Sequence, residues 1–122
     1  MLEKVVLTNN PLVRDTFEKT IYVDNCVEGL LVKVRDMVYE GYPLLSHPLP
    51  ASMRMIYSPY RSVMIGASKG KPDAMHAEIA ETSLLKYRQN TNHRTPDRKN
   101  DEDYKRIDIQ LLSVALSEPI SL

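Results

Sequence analysis

The residues of this chain that are placed to do chemistry fall in two short stretches, Ser46-His47-Pro48 and Pro59-Tyr60-Arg61. An imidazole titrates near neutrality, so His47 can donate to an anion or exchange a proton. Arg61 carries a forked set of donors that matches a carboxylate or a phosphate. Upstream, Asn9-Asn10-Pro11 sets two amides beside an expected helix start, a combination that suits an anion. Asn10 and Asn25 also have the residue type that simply caps a helix. Asn9, Asn10, Ser46, His47, Tyr60 and Arg61 are therefore the candidate ligand-binding residues, and His47 is the candidate for any catalysis. His76 and His93 lack comparable neighbours.

The charge pattern supports the same region. Gly41 through Pro72 contains no Asp or Glu but does contain Arg54, Arg61, Lys69 and Lys71. Such a window forms an electropositive rim for a small anion or an acidic protein surface. Over the whole chain, 16 basic residues balance 16 acidic ones. No net charge draws the protein to nucleic acid or to a membrane. Ser68-Lys69-Gly70-Lys71-Pro72 lacks the leading glycine and the hydroxyl residue of a phosphate loop. With no G-x-G-x-x-G, no G-x-S-x-G and no paired Cys/His spacing, no cofactor and no metal is expected. The single cysteine, Cys26, is expected to be a buried structural thiol in a reducing compartment. The start of the chain has only a three-residue apolar run and does not resemble a signal peptide, so a cytoplasmic location is expected.

These residues need a scaffold, and 122 residues suffice for one domain, expected to span residues 1–122. Lys4 to Thr8 and Thr20 to Asp24 have strand composition, and Leu44-Leu45 and Ser62 to Gly66 suggest a third and a fourth strand. A short helix should begin at Pro11. A longer one should follow Asn25, with Val27, Leu30, Leu31, Val34 and Val38 on one face and Gly41 at its end. A third helix opens at Pro72-Asp73, with Ala77, Ala80, Leu84 and Tyr87 inward. The last runs from about Asp101 to Ser117 with Tyr104, Ile107, Leu111, Val114 and Ala115 inward. Alternation of this kind implies an α/β three-layer sandwich: a small, mainly parallel four-stranded sheet, Rossmann-like or flavodoxin-like, with helices on both faces. Ligands of such sheets bind at strand carboxyl ends, here Thr8-Asn9-Asn10, Asp24-Asn25 and Ser46-His47. The orientation of the fourth strand stays open. An antiparallel one would bring Ser58, Tyr60 and Arg61 beside His47.

Several motifs along the chain resemble those of the GrdX family, small proteins associated with the glycine, sarcosine and betaine reductase systems of anaerobic bacteria. They are Thr8-Asn9-Asn10-Pro11, Val34-Arg35-Asp36, Leu44-Leu45-Ser46-His47-Pro48-Leu49, Pro59-Tyr60-Arg61-Ser62-Val63, Arg94-Thr95-Pro96 and Asp103-Tyr104-Lys105-Arg106-Ile107-Asp108. The chain departs from the family pattern across the centre of the loop, where Met53-Arg54-Met55-Ile56-Tyr57 stands. The resemblance implies an accessory setting beside amino-acid reductases and no defined reaction.

Three readings follow. The first is an accessory or regulatory protein that binds a small anion or an acidic partner at Asn9, Asn10, Ser46, His47, Tyr60 and Arg61. The second is a small enzyme with His47 as general acid/base and Arg61 orienting a carboxylate. The third is a structural module that forms a homodimer through Met53, Met55 and Ile56.

Overall fold

The computed structural model describes residues 3–91 and 98–118, leaving aside the side chain of Met53. His93 and Arg94-Thr95-Pro96 lie outside the described residues. The first strand, β1 (Lys4–Thr8), leads into a short helix, α1 (Pro11–Thr16). Asn10 caps it by accepting from the Leu12 N–H at 3.0 Å, and Pro11 takes the first helical position, where no N–H is needed. Strand β2 (Thr20–Tyr22) follows, then helix α2 (Val27–Glu40). Asn25 binds the N–H of Cys26 rather than capping the helix itself. Cys26 occupies the N-cap position and is exposed, not buried.

Helix α2 ends where Gly41 turns to φ 116°, and the N–H groups of Gly41 and Tyr42 close back on Val38 and Met37. That conformation and the approach of the Gly70 carbonyl oxygen leave no room for a Cβ. A 3₁₀ turn (Met53–Tyr57), strand β3 (Ser62–Gly66), helix α3 (Ala74–Thr91) and helix α4 (Asp101–Ser117) complete the order.

The expected four-stranded, mainly parallel sheet of Rossmann or flavodoxin type is overturned. The sheet has three strands in the order β2-β1-β3; β1 pairs parallel with β2 and antiparallel with β3. The expected third strand shrinks to one antiparallel bridge between Leu44 and Ile65. Its ladder stops because the Ser46 hydroxyl, not a backbone carbonyl, accepts the Met64 N–H at 2.8 Å. Pro48 and Pro50 then keep the chain from continuing as a strand. The sheet is mixed for a simple reason: the segment after Leu44 turns back through the loop, so Ser62 enters β3 beside Thr8, at the carboxyl end of β1.

Side chains alternate across the sheet. Leu7, Val63 and Ile65 face Leu30, Val34, Val38 and Ala80 of α2 and α3, whereas Val6 and Met64 face Val13 of α1 and Leu112 of α4. A third cluster joins Ile56 of the 3₁₀ turn to Val27, Leu31, Leu84 and Tyr87. The expected inner stripes of α2 and α3 match these clusters. The stripe of α4 does not: Leu111 and Val114 are exposed, and Asp108 and Leu112 are the buried positions. No helix among the described residues is long and apolar enough to cross a membrane.

Candidate functional site

At the carboxyl end of β1, polar side chains brace the chain segments that converge there. Asn9, buried, donates to the carbonyls of Asn25 at 3.1 Å and Pro59 at 2.9 Å and accepts from the Arg61 N–H at 2.8 Å. Asn10, fully enclosed, donates to the Lys105 carbonyl at 3.0 Å and to Asp108 Oδ2 at 3.1 Å. Its oxygen is occupied by the helix cap. Both amides are therefore engaged in holding backbone and α4 in place. Tyr60 points elsewhere: its hydroxyl donates to Asp101 Oδ2 at 2.5 Å, with Lys105 and Arg98 over its ring. Burial, and then the Asp101 carboxylate, push that phenol above its ordinary range.

The remaining three expected residues come together. Arg61 donates from Nε to the Pro48 carbonyl at 2.8 Å and from Nη2 to the His47 carbonyl at 2.9 Å, pinning the loop that follows Ser46. Ser46, His47 and Arg61 line one cavity of about 370 Å³ with Ser62 and Asp108. Its apolar wall includes Leu45, Leu111, Leu112 and Ala115, so it lies between the Leu45–Ala51 segment, β3 and α4.

The electrostatics are uneven. Burial lowers the tendency of the Arg61 guanidinium to hold its proton, and Asp108 partly offsets this, but a guanidinium stays charged in either case. Among the described residues no carboxylate lies within ion-pair distance of it. His47 Nδ1 accepts from the Leu49 N–H at 3.1 Å, which places the proton of the neutral ring on Nε2. Burial pushes the imidazole below its ordinary range, and the Arg61 and Lys86 cations push it further. A neutral ring with Nδ1 engaged presents a donor at Nε2, whereas a general base would need a free lone pair there.

Asp108 was not among the expected site residues. It is 3% exposed, and its Oδ2 accepts from Ser62 Oγ at 2.7 Å and from Asn10 Nδ2. Ser62 Oγ in turn lies 2.8 Å from Thr8 Oγ1, which accepts the Asn10 N–H. Burial raises the Asp108 carboxyl above its ordinary range, and the bonds from Ser62 and Asn10 counter part of that. One sequence signal pointed to it: Asp108 lies one turn before Leu112 and one turn after Tyr104, on the side of the helix that has to dock. An apolar template passes over an acid at such a position.

The expected interface residues separate. Ile56 is 4% exposed and packed within the chain's own core, Met55 is half-buried, and the Met53 side chain is outside the described residues. His76 has a structural contact after all, since its Nδ1 accepts from the Leu44 N–H at 3.1 Å. Among the described residues no group of His, Cys, Asp and Glu could hold a metal ion.

No curated protein and no solved structure matches this chain. A family model described as GrdX-like protein does match, over residues 5–117. That span takes in β1 except Lys4, all of β2 and α4, and every cavity-lining residue except Glu118, so the protein belongs to the GrdX-like family, as its motifs indicated.

Proposed function

We propose that this protein is an accessory or regulatory component that binds a small anionic ligand in the cavity formed by Ser46, His47 and Arg61. The setting beside amino-acid reductase systems is part of this proposal and rests on the motif resemblance alone. One observation carries the binding reading: Arg61 lines the cavity and makes no ion pair among the described residues, its side-chain hydrogen bonds going to the Pro48 and His47 carbonyls. A half-buried guanidinium in that state gains from an incoming carboxylate or phosphate. His47 and Ser46, each with a hydrogen left to donate, line the same cavity. Cavities of about 300–1,000 Å³ lined mostly by apolar groups with a few placed polar ones are typical of small-molecule sites.

Thermal unfolding in the presence of phosphate, sulfate, nucleotides and small carboxylates tests this. A ligand at 100 times its dissociation constant should stabilise the fold by about 2.7 kcal/mol. The stabilisation should persist at constant ionic strength and disappear in Arg61→Gln. If none of these anions raises the melting temperature at constant ionic strength, the binding reading fails.

A further inference from the structure

The cavity at Arg61 has an aliphatic lining that an inorganic ion would leave unused. Leu45, Leu49 and Pro50 contribute to it from the segment before the 3₁₀ turn, and Leu111, Leu112 and Ala115 contribute from α4. Leu111 is 46% exposed, and Leu49, Pro50 and Ala115 keep part of their surface in water. A bound hydrocarbon group would take that surface out of water, which is favourable in proportion to the apolar area covered.

The charge available in the same cavity is small. Arg61 is the single arginine or lysine on the lining. It spends Nε and one hydrogen of Nη2 on the Pro48 and His47 carbonyls, which leaves the other three of its five N–H groups without a partner among the described residues. His47 adds a donor but no second charge, since burial and the Arg61 and Lys86 cations favour its neutral form. Asp108 and Glu118 belong to the lining as well. A phosphate, with about two negative charges, would enter a cavity that holds one fixed cation and two acidic residues. A carboxylate brings one charge, and its two oxygens match the fork of a guanidinium. We infer that the ligand of this cavity is an aliphatic monocarboxylate, its carboxylate paired with Arg61 and its hydrocarbon tail against the leucines of α4 and of the Leu45–Ala51 segment. This rests on the anion-binding reading above and narrows it from anions in general to one class.

Calorimetric titration of the intact protein with acetate, butyrate and hexanoate at constant ionic strength, beside inorganic phosphate and 1-hexanol, tests the inference. Affinity should rise about two- to fourfold for each added methylene, so hexanoate should bind at least tenfold more tightly than acetate. It should exceed phosphate, which has no tail, and 1-hexanol, which has no charge, by at least the same factor. Arg61→Gln should bring hexanoate down to the level of 1-hexanol. Leu111→Ser, at a position already exposed to water, should flatten the dependence on chain length. Acetate or phosphate binding as tightly as hexanoate overturns the inference and leaves anion binding at Arg61 standing. So does a chain-length series that Leu111→Ser leaves unchanged, because the tail then lies elsewhere. A match between 1-hexanol and hexanoate overturns the inference too, since the carboxylate then contributes nothing. If no ligand of the series binds, the inference falls, and the anion reading falls with it only if the anion screen above is also negative. The ligand series on the native protein decides the matter even if a variant does not fold.

Discussion

Asp108 and His47 lie on the same cavity, and folding shifts their protonation in opposite directions. Burial raises the folded Asp108 carboxyl above its ordinary range, so as pH rises the unfolded chain gives up its proton before the folded one does. Its contribution to stability is fully present below the ordinary carboxyl range and is lost as pH rises through the folded value. The penalty of Asp108→Asn, read from urea midpoints, should therefore be larger in acid than at neutral pH. His47 is shifted the other way, first by burial and then by Arg61 and Lys86. Its contribution is present above about pH 6.5 and is lost as pH falls through the depressed folded value. His47→Gln should flatten that loss on the acid side of neutrality, and an unchanged pH profile would refute the assignment. Truncation is a different experiment. Asp108→Ala strips the acceptor from Ser62 and Asn10 and should cost about 1–3 kcal/mol for each buried donor left unsatisfied.

The elements are stabilised by a few single contacts. At Gly41 a Cβ would meet the Gly70 carbonyl oxygen in a left-handed backbone conformation. Gly41→Ala should cost more than the roughly 1–2 kcal/mol of the conformation alone, as measured by chemical denaturation. The 3₁₀ turn is tied down by Ile56, whose side chain fills the space between α2 and α3. Ile56→Ala should destabilise by about 2–5 kcal/mol, the range for truncating a core side chain. A loss below 1 kcal/mol would show that the turn docks only loosely. At the sheet edge, His76→Ala removes the acceptor of the Leu44 N–H. Faster hydrogen exchange at the Leu44 amide, with the amides of α2 unchanged, is the expected readout.

Over the whole molecule, the sequence determined the features that depend on local chemistry and period. The α2 stripe, the Gly41 stop, the Asn10-Pro11 helix start and the strands at Lys4 and Ser62 were all readable, because each follows from spacing or backbone restriction within a few residues. The approach of Arg61 to His47 followed from an antiparallel return of the chain, which was one of two open alternatives, and the family from the order of short motifs. Strand pairing was decided by the tertiary structure. Leu44-Leu45 has strand composition, yet the Ser46 hydroxyl takes the place of a ladder carbonyl and the prolines beyond it prevent further pairing, leaving a three-stranded mixed sheet. The tertiary structure also decided which polar groups face inward. Asn9 and Asn10 looked like ligand contacts and are braces with their hydrogen bonds made, while Asp108 looked like an ordinary helix acid and lines the cavity. A sequence pattern registers apolar burial, because water excludes such side chains wherever they stand in the chain. The burial of a carboxyl depends on donors that arrive from residues 98 and 46 positions away, Asn10 and Ser62, and only the folded chain brings them together.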